Sequence, residues 1–371
     1  MKVALAGLTW AVLLVGVQAV AWAQAGWSLI PSFSLAEEFD DNVFVTSTAK
    51  KSDFITRFTP GIDLGYRSEP FTLMARSSFD AEVFADNSQL NDSAARKRAG
   101  LEFKYVPVED LTLGLESSYI ATTTATGLVG AAGLEFARRD ATEFILSPVA
   151  HYRFTASDTG RIAYTFMRDT LDQFPNTTTN RAQLTYSHQF SALDTGLLAY
   201  RLSVFKTEDL PGLTSHTPAV GWTRQFSQET ALTLQAGPRF KSDGSVEPEA
   251  VARLEHAFTL AKVAAQYLRT ETFVLGRTTA EELEALSGSI ELEPFKLLKV
   301  KVEPSYTRLF GGVDPTARIY GVASVITYPI TSWLTAGLRH VYAFQDQVGA
   351  SLHHNIVTLS LDAAYPITVS K

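Results

Sequence analysis

The 371-residue chain contains no cysteine, only three methionines and no strongly basic tract. Without cysteine it has no disulfides, no thiolate catalysis and no Cys-based zinc site. A formal net charge of −7, one unit more negative if Lys2 is lost with a leader, makes it a poor nucleic-acid binder. Past the first two dozen residues no apolar run approaches the roughly 20 residues a membrane helix requires. Catalytic signatures are missing as well. No HExxH, GxSxG, P-loop or GxGxxG stands in a credible strand–helix setting, and seven histidines are scattered singly apart from His353-His354. Alternation along a strand would send those two rings to opposite faces. The reading is of a chain that is not an enzyme, with no catalytic residue, no cofactor and no metal site.

The N-terminus reads as an address. Met1 and Lys2 form a short positive region, Val3 to Val20 are mostly apolar, and Ala21-Trp22-Ala23 offers small residues where a signal peptidase cleaves. The expected organisation is a signal peptide over 1–23 and a single barrel domain over 24–371.

What the rest of the chain has is alternation. Segments of about ten residues interleave apolar and polar side chains. Phe71, Leu73, Ala75, Phe79, Ala81 and Val83 alternate with Thr72, Arg76, Ser78, Asp80 and Glu82; Val357, Leu359 and Leu361 alternate with Thr358, Ser360 and Asp362. Short connections near 68–70, 108–110, 155–159, 191–194, 227–229, 259–261, 295–296 and 331–332 take turns with longer ones. The longer ones fall near 40–52, 86–92, 122–138, 169–179, 206–215, 241–245, 273–285, 310–317 and 345–353. This pattern predicts an all-β fold: a closed up-and-down antiparallel transmembrane β-barrel of about 18 strands, with 16–18 compatible with the spacing. In hydrocarbon every backbone polar group needs a partner, and a sheet without edges supplies one. Tight turns belong to the periplasmic side and long loops to the outside.

Aromatics cluster where strands meet the short turns, at Tyr66, Phe71, Tyr105, Phe154, Phe190, Phe226, Phe258, Tyr328 and Trp333, as an interfacial girdle would. Arg168, Arg269 and Arg308 occupy lipid-facing positions beside long loops, where they either snorkel or meet lipopolysaccharide phosphates. Two features sit against the scheme. Pro60, Pro148, Pro218, Pro238 and Pro304 fall inside strands and predict bulges or locally unpaired sites. Residues 279–285 read as a short capped helix.

The polar face is the informative one. Its expected pore-lining charges are Arg57, Asp63, Arg76, Asp80, Glu82, Arg98, Glu102, Lys104, Glu116, Glu143, Arg153, Arg161, Arg181, Arg201, Arg239, Arg253, Glu255, Glu291, Lys299, Lys301, Glu303, Arg339 and Asp362. The two signs nearly balance, whereas a strongly ion-selective pore shows one in excess. A near-neutral wet lumen suits sugars and other polyhydroxylated solutes; salt-bridge networks that stiffen the wall are the alternative. The acidic cluster Asp40-Asp41-Asn42 with Asp53 suggests either calcium or a solvated loop with local Asx turns.

Glu38-Phe39-Asp40-Asp41-Asn42-Val43-Phe44-Val45-Thr46 resembles the "YxDNVFLT" signature of an outer-membrane β-barrel porin family. Asp53-Phe54-Ile55-Thr56-Arg57-Phe58-Thr59-Pro60-Gly61 resembles that family's second block. Asp41, Asn42, Val43 and Phe44 carry the match, which covers residues 38–66. The chain departs from the usual outer-membrane ending in closing on Thr368-Val369-Ser370-Lys371, with Tyr365 as a stand-in aromatic assembly signal. The resemblance implies a conduit for secreted polysaccharide. It would work with a periplasmic export partner, be inserted by the barrel-assembly machinery and sit among lipopolysaccharide. A general diffusion porin for small polar solutes, narrowed by an inward fold of 122–138, and a structural barrel acting through its loops remain the alternatives.

Overall fold

The alternation becomes a continuous ladder in the computed structural model, which describes residues 26–123, 138–274, 277, 279–311, 316–347 and 350–370. The strands are β1 (Gly26–Asp40), β2 (Asp53–Arg67), β3 (Phe71–Phe84), β4 (Asp92–Val108), β5 (Leu111–Thr122), β6 (Ala141–Arg153), β7 (Asp158–Leu171), β8 (Thr177–Gln189), β9 (Asp194–Thr207) and β10 (Leu213–Gln225). They continue as β11 (Thr230–Lys241), β12 (Val246–Ala257), β13 (Ala261–Thr272), β14 (Glu281–Phe295), β15 (Leu298–Phe310), β16 (Ala317–Pro329), β17 (Leu334–Gln347), β18 (Ala350–Ala364) and β19 (Ile367–Ser370). Strands β1 to β18 each pair antiparallel with their neighbours in sequence. β1 pairs with β2 along one edge and with β18 and β19 along the other, which closes the sheet. Tyr365 and Pro366 separate β18 from β19, and both halves continue one stave on β1, so the barrel has 18 staves. Closure leaves no unpaired edge, the condition hydrocarbon imposes on a sheet.

Among the described residues five of the long connections, near 40–52, 86–92, 169–179, 206–215 and 241–245, keep their expected places, and the short turns recur between strands. Two local expectations do not hold. Residues 281–285 belong to β14 rather than to a helix: Glu281 pairs with Thr272 and Glu282 with Glu271. Two ladder neighbours outweigh a weak local helix preference. The last expected loop is strand as well, with Gln345 to Gln347 in β17 and Ala350 to His353 in β18.

Four of the five strand prolines act as expected without shifting register. The ladder skips residues 59 and 60 between β2 and β3, 147 and 148 between β6 and β7, 217 to 219 between β10 and β11, and 303 and 304 between β14 and β15. The missing N–H interrupts one side of the strand only, because Pro60 still aligns with Phe33. Pro238 aligns with Pro248 in an unbroken stretch of register.

By the rule that the tight turns of such barrels face the periplasm, the short turns mark the periplasmic end, and two of them share one chemistry. Thr155 and Ser191 accept backbone N–H groups from Asp158 and Asp194 and donate their hydroxyls to those residues' carboxylates. Phe154 and Phe190, just before these turns, lay their rings across Gly160 and Gly196, where a Cβ would collide with the ring. Phe154, Phe190, Phe226, Phe258, Tyr328 and Trp333 are all exposed on the outside, forming the expected girdle.

Candidate functional site

Ion pairs identify the concave face. Arg201 on β9 bonds Glu249 on β12, Arg239 on β11 bonds Glu282 on β14, and Ser215 on β10 donates to Glu271 on β13 at 2.8 Å. Each contact reaches over two intervening strands. Side chains diverge on the convex side of a curved sheet, so these contacts exist only inside the barrel. Strand alternation then assigns the rest of β9, β10, β11 and β12, while Glu271 and Glu282, at the ends of β13 and β14, turn inward out of phase with the rest of their strands.

The extracellular half of this face holds two buried ionic networks. In the first, Arg57 meets Glu38 at 3.0 Å, Glu82 at 2.9 Å and Asp80 at 3.7 Å. Arg98 reaches Asp80 at 2.5 Å, Arg96 reaches it at 3.8 Å, and Thr59 donates to it at 2.9 Å. Arg138 adds a contact to Glu82 at 3.3 Å. In the second, Arg239 is bonded to Glu282 and lies 3.3 Å from Glu249 and 3.9 Å from Glu271. Lys241 lies 2.7 Å from Glu282 and 3.5 Å from Glu271. Arg181 stands beside this group, its Nε buried without a hydrogen-bond partner. Asp80, Arg239, Glu271 and Glu282 are all buried.

The periplasmic half is open. Arg76 and Glu102 pair at 2.7 Å, Arg253 and Glu255 at 2.6 Å, and Lys301 lies 2.8 Å from Glu303 and 3.9 Å from Glu291. Lys299 sits 3.8 Å from Glu293. Asp63 is in register with Arg76, Lys104 with Thr72 and Gly114, and Glu116 with Glu102. Asp362 accepts from Ser360 at 2.8 Å. Arg161 and Arg339 are exposed and make no ion pair among the described residues. Arg153 is drawn to the periplasmic turn by Asp110 at 2.7 Å and Glu109 at 2.8 Å. A cavity of about 730 Å³ opens in this wall, bordered by Ser32, Thr59, Asp63, Arg76, Ser78, Glu102, Glu116, Ser118 and Asp362. A second, smaller cavity of about 50 Å³ lies beside the first ionic network.

The signature residues are built into the barrel seam. Asn42 is fully buried; its Oδ1 accepts the Thr46 N–H at 3.0 Å and its Nδ2 donates to the carbonyls of Thr46 at 2.9 Å and His353 at 3.3 Å. The Asp41 carboxylate accepts the Asn355 N–H at 2.8 Å, while the Asp41 N–H donates to the Asn355 carbonyl at 3.1 Å. His354 meets Asp40 at 2.8 Å on the lumen side. Val43 packs with Ile55 and Phe84, and Phe44 packs against that cluster. The block therefore ties β1 to β18 where the chain's ends meet. Asp53 does not join Asp40 and Asp41; it accepts N–H groups from Phe54, Asp86 and Asn87. The acidic cluster is thus occupied by backbone and amide donors, as local Asx-type turns require.

Outside, Arg269 and Arg308 both lie over the Phe310 ring, at 5.5 and 4.7 Å from its centroid, and bond Glu247 and Glu284. Lipid-facing His188 pairs with Asp158 and His340 with Asn355; among the described residues neither bonds a serine. The segment 122–138 expected to narrow the pore lies outside the described residues over 124–137.

Sequence alternation missed Glu38, Arg96, Lys241, Glu271 and Glu282. Glu38, Arg96 and Lys241 sit at lumen-facing positions near a loop, so the same alternation carried to the strand ends would have included them. Glu271 and Glu282 pair with each other on the face that Arg269 and Glu284 share, and only their contacts with Ser215, Arg239 and Lys241 bring them inward. Glu282 was hidden by the helix-like reading of its segment.

No family model matches the sequence, and no curated relative matches it. Among solved structures the chain is similar to Acinetobacter baumannii OccAB4, with 11% identity over 93% of this chain and 99% of that one and a TM-score of 0.52. It is also similar to Pseudomonas aeruginosa OpdO, with 11% identity over 93% and 98% and a TM-score of 0.49. At such identity the likeness is one of fold. The chain is an integral outer-membrane β-barrel. Its closed 18-stave sheet, lipid-facing apolar band and aromatic girdle are those of a transmembrane β-barrel.

Proposed function

We propose that this barrel is a passive diffusion channel for small polar solutes. The observation that carries the reading is the shape and chemistry of the lumen wall. A mid-barrel cavity of about 730 Å³, bordered by hydroxyls, charges of both signs and apolar side chains, adjoins an extracellular half crowded by cross-strand ion networks. The pore-lining residues expected from the sequence, apart from Arg153 at its turn, would border this path. Balanced charge favours uncharged polyols and weakly charged solutes over strong selection for one ion sign. A narrowed outer half admits a small solute more readily than an extended polymer. The export role implied by the Asp41–Phe44 resemblance has no independent support, since those residues work as a clasp on the barrel seam.

Liposomes carrying the purified barrel, swollen in sugars of increasing length, test the reading. Rapid swelling in monosaccharides that falls off steeply with chain length is expected. No swelling in any sugar, or equal passage of long oligosaccharides, would overturn it.

A further inference from the structure

Near the extracellular end of the lumen wall, Glu143 on β6 stands directly opposite Asp169 on β7. Directly opposed residues place their Cβ atoms about 5 Å apart, so the carboxylates are neighbours. Both side chains are nearly inaccessible, at 4% and 5% exposure. Above them the apolar contact of Ala141 with Leu171, flanked by Ile120 and Phe174, shields the site from the outside. Every other buried carboxylate described in the two ionic networks has an arginine or lysine. This pair has none: no basic side chain bonds either carboxylate among the described residues. Asp169 accepts a hydrogen bond from Thr177, while its Oδ1 has no partner. Thr179, 5% exposed and two residues further along the same face of β8, also has a buried hydroxyl oxygen without a partner.

Two bare carboxylates at this spacing and burial repel strongly. Something positive has to stand between them. The oxygens present are hard donors: two carboxylates, the Thr177 hydroxyl and the unpartnered Thr179 hydroxyl. Such a set suits a hard divalent cation of the calcium class and not a soft metal. We propose that Glu143, Asp169, Thr177 and Thr179 form a calcium site in the lumen wall, joining β6, β7 and β8 below the mouth. The group Asp40, Asp41 and His354 on the barrel seam is less suited, because its carboxylates already accept N–H donors.

The test is calorimetric titration of CaCl2 into the detergent-folded, EDTA-treated barrel, with thermal unfolding alongside. Wild type is expected to bind calcium and to melt at higher temperature when loaded. Glu143→Gln and Asp169→Asn should lose both effects, whereas Asp41→Asn should keep them. Thr179→Val, which leaves both carboxylates in place, should bind more weakly. Two results would overturn the proposal. One is no binding by wild type, with Asp169→Asn more stable than wild type, which would make the pair a shared-proton pair. The other is calcium binding that all variants retain, which would place the ion elsewhere.

Discussion

Arg239 in the extracellular half of the barrel is 1% exposed and surrounded by three glutamates, whereas Arg76 in the periplasmic half is 49% exposed and has one partner. Both are arginines at lumen-facing positions of a β-strand, and alternation cannot tell them apart. Their partners differ. Arg76 and Glu102 sit on adjacent staves and meet across the surface. Arg239 reaches over β12 and β13 to Glu282, which requires the wall to bend inward until side chains from several staves converge. The extracellular half is therefore held by an ionic core, and the periplasmic half leaves its charges exposed. Removing one partner of a buried pair strands the others, while an exposed pair contributes little.

The largest effect is expected at Arg239→Met, which leaves Glu249, Glu271 and Glu282 without their shared cation. A loss of about 3–5 kcal/mol, the usual cost of a broken buried pair, should appear as a lower urea midpoint in detergent. A midpoint like wild type would mean that the network is solvated.

Next comes the facing assignment. Leu184→Arg puts a charge on the lipid side near mid-strand and should cost about 2–4 kcal/mol or block assembly. Gln183→Arg, one residue away on the lumen side, should assemble normally, and the boiled and unboiled gel shift reads both. Equal tolerance would reverse the assignment of faces.

The seam clasp predicts a smaller effect. Asn42→Ala leaves the Thr46 N–H and the His353 carbonyl without their side-chain partner, at a cost of about 1–3 kcal/mol for a buried polar group. Faster proteolysis within 41–52 should accompany it. Smallest of all, Arg76→Gln should change stability by less than about 1 kcal/mol, as exposed pairs do.

The barrel itself was legible because hydrocarbon leaves the chain few choices. Period-two alternation, tight turns built on Thr155 and Ser191, and the phenylalanines beside them all point to one closed sheet. The faces of Arg57, Asp80 and Arg98 were readable for the same reason. Which of these charges would be buried was not readable, because that depends on wall curvature bringing Arg201 to Glu249 across β10 and β11. Residues 279–285 misled because local helix preference and strand pairing compete there, and only the partner strands decide. The role of Asn42 was also hidden, since its partner His353 lies at the other end of the chain.

The most direct test of the two-half account is single-channel conductance in planar bilayers. Wild type should conduct steadily. Combined replacement of Arg239, Glu249 and Glu282 by alanine, which removes most of the ionic crowding and leaves Lys241 paired with Glu271, should raise conductance. Replacing Arg76 and Glu102 by alanine should leave it close to wild type. A wild-type barrel that does not conduct, or a conductance governed by the Arg76 pair and indifferent to the Arg239 group, would contradict the account.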